Sequence, residues 1–438
     1  MYLKRKIDVA LAAWADSHVR KPLVIRGARQ VGKTVATSHL GSTKFQNYLA
    51  INFERQPGLK RVFESDLNPK RIVSELEALT ETKIIPGQTL LFFDEIQDCP
   101  KAITALRYFY EELPDLHVVA AGSLLEFVWE HLSVPVGRIS YLHLYPLSFA
   151  EFLDATDRST LGQKIPRWTH ESKEEMSIAE PVAIHLWAAL KEYFLIGGMP
   201  EAVSAFAQRR SYIEVASIQD ELLQTYRDDF HKYGKGEKQL ENLSQIFSRL
   251  FGFVGRQIKY TELSQGDDIK RTRLSLELLE KAKVAHRVTA TSGAGLPLST
   301  HAKEKRFKCI FIDVGLGQRA SGIKFSEVLN ADNLLSQHLG ALAEQFVGQE
   351  LLANGNPTAP DALYYWTREE KSSSAEVDFL IVQDGRVIPL EVKSGSLGSL
   401  KSMHLFLKTY GGSGLCLRQT NLVKAVEQVT FAPLFVKV

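Results

Sequence analysis

Gly27-Ala28-Arg29-Gln30-Val31-Gly32-Lys33-Thr34 places its glycines, lysine and threonine at the spacing G-x-x-x-x-G-K-[ST]. Residues of those types at that spacing cradle phosphate. Backbone N–H groups of the glycine-bearing turn wrap the oxygens, and the N-terminus of the following helix adds its dipole. Lys33 would reach the β- and γ-phosphates, and the Thr34 hydroxyl would hold Mg²⁺. The motif has force only between a strand and a helix. Here Leu23-Val24-Ile25 reads as a buried strand leading in, and Val35-Ala36-Thr37-Ser38-His39-Leu40 as a helix leading out. With glycine at ~7% of residues, a chance match in such a chain is on the order of a percent. The expected ligand is a nucleoside triphosphate.

Thr89-Leu90-Leu91-Phe92-Phe93-Asp94-Glu95 is an apolar strand ending in two carboxylates. Asp94 would hold Mg²⁺ through its water shell, and Glu95 would orient or deprotonate the attacking water. The run Val118-Val119-Ala120-Ala121 ends at Gly122-Ser123, which makes Ser123 the candidate for sensing the γ-phosphate; its bland alternative is a turn serine. An arginine often offsets charge on the transferred phosphoryl group. Arg138 is the first candidate, within the chain or from a neighbouring subunit, with Arg55 and Arg107 as rivals.

A second constellation lies near the other end. Glu376-Val377-Asp378-Phe379-Leu380-Ile381-Val382 and Arg386-Val387-Ile388-Pro389-Leu390-Glu391-Val392-Lys393 flank Asp384-Gly385. Two apolar strands across Asp-Gly read as a hairpin. Antiparallel pairing brings Asp378, Glu391 and Lys393 to one end of it, and strand alternation puts Glu391 and Lys393 on one face. Two carboxylates and an ammonium suit metal-assisted phosphodiester cleavage, with Asp378 and Glu391 on Mg²⁺ and Lys393 on water or the phosphorane. Glu344, on an expected helix over 337–352, could add a ligand. The alternative is a surface hairpin with ordinary charges, and nuclease folds are also reused as binding platforms.

The elements that must position these groups alternate. Strands are expected at 23–25, 48–53, 90–93, 118–121 and 141–144, with helical patterns between them, as in a parallel sheet covered by helices. Residues 154–176 turn polar and aperiodic and read as a linker or surface excursion. Residues 182–230 read as helical, broken at Gly197-Gly198-Met199-Pro200. A helix over 243–253, a turn at Gly266-Asp267-Asp268, a helix over 270–282, a strand over 286–290 and a tip at Ser292-Gly293-Ala294-Gly295 follow in the order of a winged helix-turn-helix. In the 270–282 helix, Leu274, Leu278 and Ala282 form the expected core face, flanked by Leu276 and Leu279. Lys270, Arg271 and Arg273 occupy its first turn, where a recognition helix meets DNA; winged helices also serve as protein-contact modules.

The bulk numbers set the frame. The 438 residues are 45% hydrophobic and 24% charged, and the net charge of +2 confines any nucleic-acid footprint to a local patch. Cys99, Cys309 and Cys416 are scattered and odd in number, which fits a reducing compartment and supplies neither a disulfide framework nor zinc-ligand spacing. No apolar run approaches the ~20 residues of a membrane span, and no signal-peptide core is present. A cytoplasmic chain without membrane partners is the expectation.

Together these segments resemble a family of bacterial and archaeal AAA-type P-loop ATPases that carry a C-terminal domain of unknown function. The resemblance rests on the loop 27–34, Leu91-Phe92-Phe93-Asp94-Glu95-Ile96-Gln97, Ala121-Gly122-Ser123, Gly137-Arg138 and Tyr145-Pro146-Leu147-Ser148-Phe149-Ala150-Glu151-Phe152. It continues through Gly197-Gly198-Met199-Pro200-Glu201, Phe311-Ile312-Asp313-Val314-Gly315-Leu316, Glu376-Val377-Asp378-Phe379 and Glu391-Val392-Lys393-Ser394-Gly395. It implies an α/β chain that binds and hydrolyses ATP with Mg²⁺: an AAA-type P-loop domain over 1–155, a linker and helical domain over 156–235, a winged helix over 236–305, and a restriction-endonuclease-like PD-(D/E)xK domain over 306–438. Ala121 stands where relatives often have threonine, and Val377 where that superfamily's proline is often absent. AAA-type sites often sit between subunits, so a homo-oligomer is a further expectation. Two functions compete: a DNA-associated ATPase governing a nuclease-like tail, and a signalling or scaffold ATPase whose winged helix and tail only dock.

Overall fold

The computed structural model describes residues 2–129, 137–172, 174–266, 268–331, 339–359, 362–368, 375–393 and 400–438. Gln337, Asp267, Ser394 and Gly395, used in the expectations above, lie outside these. The chain divides into two compact units, Met1–Tyr145 with Gly355–Pro360, and Pro146–Asn354 with Asp361–Val438.

The first unit is built on five strands: β1 (Leu23–Arg26), β2 (Asn47–Asn52), β3 (Thr89–Asp94), β4 (His117–Gly122) and β5 (Ser140–His143). They lie in the order β2-β3-β4-β1-β5, and every pairing is parallel. Each coincides within two residues with an expected strand. β3 and β4 are buried along their whole length, which is why they read as continuous apolar runs rather than as alternation. Phe93 packs with Phe53, Phe63 and Phe109 at ring separations of 5.7–6.0 Å, in a core that also holds Ile72, Leu76 and Leu106. β1 and β3 therefore deliver the phosphate loop and the Asp94-Glu95 pair to the same, C-terminal edge of the sheet, and β4 delivers Ser123 there. This is the P-loop NTPase arrangement expected from the motif.

The second unit carries the helices Glu180–Ile196, Pro200–Arg209 and Tyr212–Asp228, then a nine-stranded mixed sheet. Its strands are β6 (Met176–Ser177), β7 (Ala285–Thr291), β8 (Ala302–Phe311), β9 (Leu363–Thr367), β10 (Glu376–Gln383), β11 (Arg386–Val392), β12 (Gly414–Arg418), β13 (Leu422–Val426) and β14 (Val429–Pro433), ordered β6-β13-β14-β12-β11-β10-β9-β7-β8. The hairpin β10–β11 closes through Asp384 and Gly385, both at positive φ, as a two-residue turn matched to strand twist requires.

Three expectations are corrected. The stretch 154–176 is not a linker: Ala155, Ile165 and Trp168 are buried, the Trp168 backbone N–H donates to the Lys437 carbonyl, and β6, which starts at Met176, pairs with β13. A few large apolar anchors do there what periodicity does elsewhere. The division drawn at 305/306 falls inside β8, because β7 joins β9 and makes the 285–311 hairpin part of the tail's sheet. Leu274 is 46% exposed instead of forming core; Thr272, Ser275, Leu276 and Leu279 are buried. The hidden face of that helix (Ile269–Lys281) keeps the expected Leu278 and Ala282 but includes two hydroxyls, Ser275 bonded to Gln239 and Asn242 of the helix Glu237–Leu250, which apolar residues alone do not reveal.

Candidate functional site

The phosphate loop leaves β1 at Gly27, whose φ is +155° and whose missing side chain would lie 2.2 Å from the Leu144 carbonyl oxygen. It enters the helix Lys33–Lys44 through Gly32 at φ +99°, a conformation that costs glycine nothing. Arg5, buried, ties the loop down by donating to the Val31 and Tyr145 carbonyls at 3.0 and 2.6 Å. That support left no signal in the motif. Lys33 folds over the loop, donating to the carbonyls of Gly27 at 3.1 Å and Ala28 at 2.7 Å. Burial pushes its ammonium down to about 8, against the partial opposition of Glu95 and Asp94.

Thr34 Oγ1 donates toward both oxygens of Asp94, at 3.2 and 3.1 Å, and the Asn52 amide donates to Asp94 Oδ2 at 3.0 Å. Burial and then the neighbouring Glu95 push the Asp94 carboxyl above its ordinary range. A hydroxyl and a destabilised buried carboxylate side by side are a donor set for the hard, oxygen-seeking Mg²⁺ of a nucleotide complex, so the residues fit that ion. Glu95 sits at φ +47°, and its carboxylate accepts from the Gln97 amide at 2.5 Å. Gln97 Oε1 lies against Gly122, where a Cβ would come within 2.2 Å, so Gln97 spans from Glu95 to the end of β4 next to buried Ser123. Sequence reasoning gave no role to Asn52, which ends an apolar strand, or to Gln97, which it held only as the last residue of the segment 91–97. Arg138 donates to Glu111 at 2.9 Å, sharing that carboxylate with Arg107 at 3.1 Å. Arg55 approaches the site only through its backbone N–H, on Asn52 Oδ1.

In the second unit Lys270 is exposed, Arg271 half-buried, and Arg273 exposed and paired with Glu277 at 2.9 Å. The Asp268 side chain caps their helix by accepting from the Lys270 N–H, which offsets basic residues at that end. The tail's carboxylates converge. Val392 N–H donates to Asp378 Oδ2 at 2.8 Å, and Lys393 pairs with Glu391 at 2.7 Å. Glu344, on the helix Gly340–Asn354, joins the cluster through a residue not singled out in the sequence, Lys308 of β8. The Lys308 ammonium lies 3.1 Å from Glu344, 2.6 Å from Glu376 and 3.6 Å from Asp378. Burial pushes the carboxyls of Glu344 and Glu391 up to about 7. A lone lysine inside Phe307-Lys308-Cys309-Ile310-Phe311 was the available signal, since a buried lysine needs a partner.

Residues 19–153 match the AAA domain family AAA_14. Residues 188–327 and 339–435 match two domains of unknown function, DUF8612 and DUF4143. No curated protein matches the chain. Among solved structures, the Thermotoga maritima RuvB Holliday junction branch migration motor is similar at 16% identity, covering 65% of this chain and 87% of that one, with a TM-score of 0.28. A single-substitution variant of Thermotoga maritima RuvB is similar at 16% identity, 65% and 88% coverage and a TM-score of 0.29. Among the described residues no helix is long and apolar enough to cross a membrane.

Proposed function

We propose that the chain is an ATP-hydrolysing AAA-type ATPase that works on DNA. The observation that carries the reading is the Lys33–Thr34–Asp94 cluster at one sheet edge, beside a loop that turns through Gly27 and Gly32 at positive φ. On binding, Lys33 leaves the Gly27 and Ala28 carbonyls for the β- and γ-phosphates. Thr34 with Asp94 would hold Mg²⁺, which when bound would neutralise charge on the transferring phosphoryl group. Glu95 takes the proton of the attacking water, and Ser123 marks the γ-phosphate. Arg138, 44% exposed on the Glu111 pair, is the candidate to answer phosphoryl charge across a contact between copies of the chain. DNA backbone is met by Lys270 and Arg271 at the open end of the helix Ile269–Lys281, in a winged-helix order of three helices and a β-hairpin.

Phosphate release from ATP and Mg²⁺ tests this, measured without DNA and with double-stranded, single-stranded or branched DNA, beside solution mass. Wild type is expected to turn over and to be stimulated by one DNA form. Glu95→Gln should keep ATP and lose roughly a hundredfold or more in rate, the usual worth of a general base. Reversing both Lys270 and Arg271 to Glu should remove the stimulation alone. Wild type that releases no phosphate under any condition sinks hydrolysis, and stimulation that survives the double reversal sinks the DNA role.

A further inference from the structure

The sequence reading places a divalent metal on Asp378 and Glu391 with Glu344 as a further ligand, and the arrangement of these residues disagrees with it. We propose that the Lys308 ammonium is the permanent cation of this cluster, standing where a phosphodiester-cleaving centre would hold its metal, so that the native tail binds no divalent ion through Asp378. The inference concerns the second unit alone and stands or falls independently of ATP hydrolysis.

Lys308 is 1% exposed and flanked on β8 by buried Phe307 and Cys309, so it cannot swing to solvent without disrupting the strand. Its three carboxylate contacts, to Glu344, Glu376 and Asp378, lie between 2.6 and 3.6 Å. Mg²⁺ demands oxygens at about 2.0–2.1 Å in near-octahedral array, and a second, doubly charged cation beside a fixed ammonium is repelled. Three carboxylates within 3.6 Å of Nζ give the buried ammonium its countercharge. The Tyr365 ring, its centroid 5.2 Å from Nζ, adds a face suited to a cation.

Two further ligand positions are also engaged. Asp378 Oδ2 accepts the Val392 N–H, and Glu391 Oε1 is paired with Lys393. Glu391 Oε2 is buried with no hydrogen-bond partner, and one oxygen does not make a metal site. Among the described residues no group of three His, Cys, Asp or Glu is placed to hold an ion. A lysine-filled cluster keeps the packing of a nuclease-like sheet end while removing its reagent.

The test is Mn²⁺ binding to nucleotide-free, full-length protein, read as the loss of the free-ion electron paramagnetic resonance signal. Wild type and Asp378→Asn are expected to give superimposable titrations, any ion at the ATP site being common to both. Lys308→Met is expected to gain one Mn²⁺ per chain, and Lys308→Met with Asp378→Asn to lose it again. Wild type that takes up one Mn²⁺ more than Asp378→Asn overturns the proposal, as does a folded Lys308→Met that gains none. Should Lys308→Met fail to fold, the comparison of wild type with Asp378→Asn decides alone. Plasmid nicking by wild type with Mn²⁺, lost in Asp378→Asn, would equally overturn it.

Discussion

Lys33 is the residue on which the proposed nucleotide site turns, and its ammonium is engaged with the carbonyls of its own loop. Its ammonium, depressed by burial to about 8, is stabilised again when a triphosphate faces it. The sign follows: at pH about 8.5 roughly three-quarters of free-protein lysines are neutral, and binding returns the proton. ATP titrations by calorimetry in two buffers of different ionisation heat should show proton uptake near pH 8.5 that vanishes by pH 6.5. Equal apparent enthalpies in both buffers at pH 8.5 would contradict the buried, depressed lysine. That Lys33, Thr34, Asp94 and Glu95 meet at one sheet edge was legible because strand ends and a glycine-bearing turn at fixed spacing set their placement. Arg5, Asn52 and Gln97 were not, because each acts through a contact between segments distant in sequence or across a strand end. Lys308 was hidden for the same reason, its carboxylates lying 36 to 70 positions further along the chain.

At the scale of elements, the parallel sheet was the most readable part. Strands buried on both faces leave unbroken apolar runs, and β3 and β4 are such runs. The helix Ile269–Lys281 was located and most of its core read, Leu276, Leu278, Leu279 and the following Ala282 being buried, but Leu274 is exposed while Thr272 and Ser275 are buried. On the helix Gly340–Asn354 polar side chains replace backbone partners: Gln345 accepts from the Phe311 N–H at 2.7 Å and donates to its carbonyl at 2.6 Å, capping the edge strand β8. The motifs Gly197-Gly198-Met199-Pro200 and Phe311-Ile312-Asp313 prove to meet each other. Asp313, buried and raised by burial to about 6, accepts from the Gly198 N–H at 2.6 Å and from Gln349 at 3.2 Å. A Cβ on Gly198 would stand 2.1 Å from the Leu147 carbonyl oxygen. Gly198→Ala should therefore destabilise the second unit by roughly 2–3 kcal/mol, the scale of overpacking against backbone, seen as an earlier denaturation midpoint. An unchanged midpoint would mean that the contact yields freely.

Across the whole molecule, the chain builds one parallel-sheet unit and one larger mixed-sheet unit, and Gly355–Pro360 returns to the first, where Pro357 accepts from the His143 N–H of β5 at 2.7 Å. Composition could not announce that return, nor that the 285–311 hairpin and the tail would share one sheet, because β7–β9 pairing joins residues some 75 positions apart. The account as a whole depends on triphosphate held by the loop that begins at Gly27. The most direct measurement is a calorimetric titration of nucleotide-free protein with ATP and Mg²⁺ at pH 7, wild type beside Lys33→Ala. The expected result is saturable binding to wild type that weakens by about a hundredfold in the variant, from on the order of 3 kcal/mol of charge-assisted hydrogen bonding. Equal affinity in both proteins, or no heat of binding in either, would contradict it.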